Sequence, residues 1–294
     1  MIDLMIPTVA QGLLWAVMAL GVYITFRVLD VADLTVEGSF PLGAATAATM
    51  MVAGFGPVAS FLAAFVAGTL AGVITGLLHT KMKIPALLAG ILTMIALYSV
   101  NLRVMGKANL SLLGVDTAFK LAKSALGMNT AQTTLVVGFV VTVAVGVFLY
   151  WFFGTEIGAA IRATGFNQQM IRAQGINTDN TIILGLLLSN GLVAVSGALV
   201  AQSNGFADVG MGTGTIVIGL ASVIIGEVLF GTRSFKNCLI SVVLGSVVYR
   251  IVIAAVLAMG MPPNDLKLFT SVLVAIALSL PLIKAKLNSR KVVG

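Results

Sequence analysis

Charge is what this sequence has least of. Only 9% of its 294 residues are Asp, Glu, Lys or Arg, against roughly 25% in an ordinary soluble domain. With 59% hydrophobic residues and a mean hydropathy of +1.09, this shortage excludes a soluble enzyme, a nucleic-acid module and a disordered scaffold. The expected solvent is lipid. One cysteine, Cys238, excludes an internal disulfide and a cysteine-based zinc cluster. One histidine, His79, argues against a conventional metal site. No Gly-x4-Gly-Lys-Ser/Thr nucleotide loop occurs, and no Ser/His/Asp or Cys/His set can be assembled. The chain is therefore expected to be no enzyme and to bind no cofactor itself. Its first residues carry only Asp3 and no basic stretch, so no cleavable signal is expected.

What is present is apolar length. A bilayer core of about 30 Å needs roughly 20 apolar residues as a helix. Runs of that kind fall at about 8–27, 39–54, 57–78, 85–102, 132–153, 181–201, 214–231, 238–259 and 268–283. Strand alternation is missing, which excludes a barrel. The expectation is an all-α polytopic membrane helix bundle of about 8–10 spans, one domain over 1–294, with broken helices and an inverted repeat.

The net charge of +7 sits in the breaks between these runs and forms no basic face, so it predicts topology and no nucleic-acid partner. With the C-terminal tail in the cytoplasm, Arg27, Lys81, Lys83, Arg162, Arg172, Arg233, Lys236, Lys284, Lys286, Arg290 and Lys291 lie inside. Arg103, Lys107, Lys120, Lys123 and Lys267 then lie outside, and the N-terminus is external if every span crosses. The 32 glycines divide as well. Ala64, Gly68, Gly72 and Gly76 recur every four residues, the face on which two helix backbones approach closely.

Two stretches break the apolar pattern. Residues 28–38 carry Asp30, Asp33 and Glu37 just before a short span, with Gly38 and Pro41 to interrupt the helix. Either this stretch enters the membrane, where acids must face a protein interior or a wet cavity, or it is a solvated cytoplasmic loop. If helical, it would set Asp33 and Glu37 on one face. Residues 207–215 echo it: Ala207-Asp208-Val209 matches Ala32-Asp33-Leu34 at an offset of 175, among Gly205, Gly210, Gly212 and Gly214. Paired broken segments in the two halves of a polytopic chain point to a transport pathway.

Segment 154–180 reads as two short helices at the cytoplasmic surface. Thr155 and Asn167 are placed to cap them, one stopping near Gly165 and the other at Gly175. With Met170 and Ile171 as an apolar side and only two basic residues, the pair suits a groove in another protein better than a lipid surface. Glu227 and Arg250, on successive spans, are expected to pair, with a gating role as the alternative.

These residues carry a resemblance. Arg162-Ala163, eleven residues, then Gly175-Ile176-Asn177-Thr178-Asp179 resembles the cytoplasmic signature of bacterial ABC-importer permeases of the branched-chain amino acid and ribose type. Residues 33–39, Asp-Leu-Thr-Val-Glu-Gly-Ser, are similar to the Asp-Leu-Ser-Val-Gly-Ser segment of the sugar permeases in that superfamily. In size and style the chain is closest to the tryptophan/tyrosine-type uptake subgroup. The resemblance implies a type II-like importer permease in the bacterial inner membrane. Its partners would be a second permease copy, two cytoplasmic ATPase subunits holding ATP and Mg, and an extracytoplasmic substrate-binding protein. It also implies alternating access for a small polar solute, aromatic or branched-chain amino acids foremost. Under it, Arg162, Thr164, Asn167, Gln168, Arg172 and Gly175 become ATPase-coupling candidates. Asp33, Thr35, Glu37, Ser39, Asp208, Thr213 and Thr215 become pathway candidates. Leu112, Leu113, Phe119 and Leu121 in the 103–130 loop would dock the external protein. The chain departs from the family pattern where Glu37 is inserted and where Gly226-Glu227 replaces a Gly-Gly pair. The competing classes are a sugar- or nucleoside-specific permease of the same kind, an ion-coupled transporter using Asp33 or Glu37, and a membrane scaffold for a signalling complex.

Overall fold

The computed structural model describes residues 2–260 together with 262, 265, 268–276 and 279. Helix α1 (Ile2–Tyr23) runs into a π-helical turn, Ile24–Val28. Then follow α2 (Val36–Val52), α3 (Pro57–Thr80) and α4 (Ala86–Met105). Strand β1 (Asn109–Ser111) and helix α5 (Ala118–Leu126) lead to α6 (Thr130–Phe152), then the short α7 (Glu156–Phe166) and α8 (Gln168–Ala173). After α9 (Thr178–Asn204) come β2 (Phe206–Asp208), a 3-10 turn (Val209–Gly212), α10 (Thr215–Phe230) and α11 (Phe235–Ala258). Seven helices among the described residues are long and apolar enough to cross a membrane. Helix α2, at 17 residues, joins them inside the bundle. The protein is a multi-pass, all-α membrane bundle. The expected span 268–283 is helical over 268–276; most of its remainder, Lys267 and the basic tail lie outside the described residues.

The packing follows from small residues and hydroxyls. On α3, a Cβ added at Gly68 or Gly72 would strike the carbonyls of Asn190 or Leu186, so α3 lies backbone to backbone on α9. The opposite face of α3 shows Val58, Leu62, Val66, Leu70, Ile74 and Leu77, an exposed apolar stripe fit for lipid. Helix α1 packs among α6, α9, α10 and α11. Four hydroxyls donate to its carbonyls: Thr142 to Leu13 (2.9 Å), Ser196 to Leu14 (2.8 Å), Ser189 to Gly21 (2.7 Å) and Ser246 to Gly12 (2.8 Å). Around it cluster Leu14, Met18, Leu20, Ile24, Phe40, Leu186 and Leu199, with Trp15 against Phe40 at 5.0 Å between ring centroids.

One end of the bundle holds the α3–α4 turn, α7, α8 and the α10–α11 turn, and with them Arg27, Lys81, Lys83, Arg162, Arg172, Arg233 and Lys236. The other end holds β1, β2 and α5. The two strands pair antiparallel, Asn109 opposite Asp208 and Ser111 opposite Phe206.

Glu227 and Arg250 do not pair. Glu227 binds Arg27, at the end of α1, through both carboxylate oxygens. Arg250 instead stacks over Trp15, 4.1 Å from the ring centroid. The register of the α10–α11 hairpin explains this. Gly226 meets Ser241, and Gly245 meets Ser222, so Arg250 stands about ten residues beyond the level of Glu227, roughly 15 Å at the helical rise.

Candidate translocation pathway

The stretch between α1 and α2 enters the bundle. Leu29 and Val31 are buried, while Asp30, at a left-handed φ of 54°, and Ala32 are exposed. Asp33 is 3% exposed. Its Oδ1 accepts from the Thr35 amide (2.9 Å) and its Oδ2 from Asn190 Nδ2 (2.7 Å). Asn190 Oδ1 in turn accepts from Ser39 Oγ (2.7 Å). Beside this set, Thr35, Thr75 and Thr93 join hydroxyl to hydroxyl at 2.8 and 2.9 Å. Asn190 is 12 residues into α9, roughly 18 Å along a helix and so near mid-bilayer. For Asp33 the buried reading of this stretch holds, whereas Asp30 is exposed and Glu37 is half-buried. The expected shared face of Asp33 and Glu37 does not exist. Asp33 precedes α2 and closes a local turn onto Thr35, while Glu37 lies in the helix's first turn.

The second break lies between α9 and α10. Gly205 takes a left-handed φ of 79°, the strand pair follows, and Gly214, at 82°, starts α10. The two breaks meet: Glu37 Oε1 accepts from the Gly214 amide at 3.0 Å. A Cβ at Gly212 would strike the Glu37 carbonyl, so this approach requires glycine. Between them opens a cavity of about 420 Å³ lined by Glu37, Pro41, Met94, Tyr98, Asn101, Thr213 and neighbours.

The pathway candidates thus fall into three groups. Glu37 and Thr213 line the cavity. Asp33, Thr35 and Ser39 form the buried polar layer, and Thr215 is buried with its hydroxyl on the Gly212 carbonyl (2.8 Å). Asp208 lies at the strand pair, capping Gly210 (2.7 Å) and accepting from Asn109 (3.2 Å). Sequence reasoning missed Asn190, Thr75, Thr93, Tyr98 and Asn101. Two amides, Asn101 and Asn190, inside apolar runs were the available signal, since a carboxamide at that depth needs partners.

At the basic end, both caps form as expected. Thr155 Oγ1 accepts from Gly158 N (3.3 Å), Asn167 Oδ1 from Met170 N (3.0 Å), and Gly175 is left-handed at φ 86°. Helices α7 and α8 make an elbow whose corner residue, Phe166, is 91% exposed. Asn167, Gln168 and Met170 flank it at the surface. Thr164 is a correction: it is fully buried, its hydroxyl on Thr181 Oγ1 (2.8 Å) and the Ala160 carbonyl (2.7 Å), so it braces the elbow and faces no partner. Ile171 turns inward too. Arg162 lies over the Phe235 ring (5.1 Å), and Arg172 reaches Thr178 and Asp179 (3.5 Å). A Cβ at Gly165 would strike the Val28 carbonyl, which seats the elbow on the end of α1. In the external-loop set, Leu112 and Phe119 are buried, and only Leu113 and Leu121 face out. Leu112 packs in a cluster with Leu110 and Ala207, and Phe119 joins the main core, which leaves the other two for the surface.

A bundle with two mid-membrane breaks meeting at one cavity defines a transport protein of the permease class. The comparisons agree. The family described as "Branched-chain amino acid transport system / permease component" matches residues 4–279, and the chain belongs to it. A "Tyrosine transport system permease protein" of Clostridioides difficile (strain R20291) is 40% identical over 269 residues, 92% of this chain and 88% of that protein. An uncharacterized protein of Rickettsia prowazekii (strain Madrid E) is 33% identical over 94% of this chain and 97% of its own length. Among solved structures, PsaBC from Streptococcus pneumoniae in complex with Fab matches with a TM-score of 0.40 and 16% identity, over 85% of this chain and 88% of that one. A likeness at that level adds nothing to the assignment.

Proposed function

We propose that this chain forms the translocation pathway of an ATP-driven importer for an amino acid, aromatic before branched-chain. A second copy of the permease, two ATPase subunits on the basic, cytoplasmic end and an extracytoplasmic binding protein on the strand-pair end complete the transporter. The observation that carries the reading is the α7–α8 elbow. It is a capped, rigid corner with Phe166 bare at its tip, seated through Gly165 on the end of α1, one residue before the first break begins. The name of the Clostridioides relative supports tyrosine as the solute.

The mechanism follows from that seating. The cavity at Glu37 lies toward the strand-pair end, and the Asp33–Asn190–Ser39 and threonine sets lie between it and the basic end. In this state the polar layer closes the route inward. A pull on the elbow by the ATPases moves Val28, tilts the 29–35 break and separates Asp33 from Asn190, so solute in the cavity can pass.

Reconstitution into vesicles with the ATPase that copurifies from native membranes tests this. Labelled tyrosine uptake should require ATP on the ATPase side and the binding protein on the other. Uptake that persists without any ATPase and collapses with the ion gradient would make the chain an ion-coupled carrier.

A further inference from the structure

Two cavities on the outer side of α6 meet end to end. The first, about 630 Å³, lies where α6 gives way to α7 beside the α10–α11 turn, and Tyr150, Trp151, Thr155, Arg162, Ser234 and Lys236 line it. The second, about 390 Å³, is a groove between α6 and α11 walled by Val143, Gly146, Val147, Ile240, Val243 and Leu244. Tyr150 and Lys236 line both. Away from that shared mouth the groove offers no free polar group, because the Thr142 hydroxyl on its wall is spent on the Leu13 carbonyl (2.9 Å). Gly146 gives it depth, with no atom within 4 Å of an added Cβ. Its wall on α6 runs from Phe139 to Tyr150, roughly 16 Å at the helical rise, which is one leaflet's share of a hydrocarbon core about 30 Å thick.

The first cavity has the opposite chemistry. Arg162 and Lys236 bring two positive charges to it, and neither has an ion-pair partner among the described residues. Arg162 lies over the Phe235 ring at 5.1 Å and makes one long bond, from Nη1 to the Phe153 carbonyl (3.4 Å), so most of its N–H fork is left for an anion. The Ser234 hydroxyl accepts from the Asn237 amide (3.2 Å) and keeps its own proton to donate. No acidic side chain lines either cavity. Tyr150 and Trp151 are both exposed there, as aromatic side chains are at the level of lipid headgroups. A charged head on an apolar chain, at this depth, describes a phospholipid. We propose that the joined cavities hold one anionic phospholipid of the leaflet at the basic end, with its phosphate on Arg162 and Lys236 and one acyl chain along the α6–α11 groove. The site requires only the chain's place in a membrane and is independent of the solute transported.

Native mass spectrometry of the purified full-length chain tests it, after delipidation and exchange into an equimolar mixture of phosphatidylglycerol and phosphatidylcholine with the same acyl chains. Phosphatidylglycerol should stay bound in preference to phosphatidylcholine by at least about tenfold, the effect of two cations at a membrane surface. Lys236 is exposed, so Lys236→Gln should leave the fold intact and reduce the preference about fivefold. Lys107→Gln, between α4 and β1 at the opposite end, should leave the preference unchanged. Gly146→Leu fills the groove, keeps both cations, and should release the bound lipid. Equal retention of the two lipids, an unchanged preference in Lys236→Gln, or full phosphatidylglycerol retention in Gly146→Leu would each overturn the assignment. So would displacement of the lipid by soluble glycerol 3-phosphate, because a free anion would then suffice without the groove. A chain recovered as a lipid-free dimer would give the groove to a second copy instead.

Discussion

Asn190 holds Asp33 at 2.7 Å while its own amide oxygen accepts from Ser39. One side chain on α9 thus joins the two sides of the first break and satisfies a carboxylate near mid-membrane. No basic residue is within ion-pair distance of Asp33 among the described residues.

Asn190→Leu leaves Asp33 Oδ2 and the Ser39 hydroxyl without that partner. Destabilisation of about 1.5–3 kcal/mol is expected, the range for losing a hydrogen bond to a charged group. Thermal unfolding of the purified protein measures it, and Asn190→Leu combined with Asp33→Asn should recover part of the loss. An unchanged midpoint in the single variant would show that water already serves this carboxylate.

The α3–α9 contact allows no side chain. Gly72→Val should destabilise by about 3 kcal/mol or drive the helices apart, because the new Cβ meets the Leu186 carbonyl. Gly146 on α6 is the control, with no atom within 4 Å of an added Cβ. Gly146→Ala should stabilise by about 0.5–1 kcal/mol. Equal effects at the two positions would contradict the backbone-to-backbone packing.

The Arg27–Glu227 pair is partly solvated, with Arg27 46% exposed. Glu227→Gln should therefore cost no more than about 1 kcal/mol. Reversing Glu227 alone to Arg should cost more, and Arg27→Glu in the same chain should restore it. Because Arg250 stands on a different level, Glu227→Gln and Arg250→Met should add to within about 0.5 kcal/mol in a double-mutant cycle. A larger coupling energy would restore the pairing that residue type and span order suggested.

Phe166 and Thr164 are two residues apart and should part company in experiment. Phe166→Ser should abolish ATPase copurification and leave the unfolding midpoint unchanged. Thr164→Val should lower the midpoint by about 1 kcal/mol, the worth of a buried hydroxyl bond, without removing the exposed tip. A Phe166→Ser variant that still carries the ATPase would put the docking surface elsewhere on the basic end.

Low charge and long apolar runs by themselves determined the solvent, the helix class and the approximate spans, because a chain in lipid must satisfy its backbone within each helix. Local chemistry also determined the elbow: Thr155, Asn167 and Gly175 cap and end helices through bonds made within a few residues. The Ala64–Gly76 stripe was legible for the same reason, since a four-residue period places side chains on one helix face without reference to any neighbour.

Only the tertiary structure decided which polar groups meet. Asp33 finds Asn190 from 157 residues away, and Glu37 finds Gly214 from 177. Glu227 takes Arg27, across 200 residues, in place of the sequence-adjacent span's Arg250. Such pairs depend on the depth and rotation of each helix in the bundle. Those are set by backbone contacts at glycine and by hydroxyls gripping α1, interactions with no period along the chain. The scarcity of charge announced a membrane protein; the positions of the few buried acids and amides became readable only when the helices had been placed side by side.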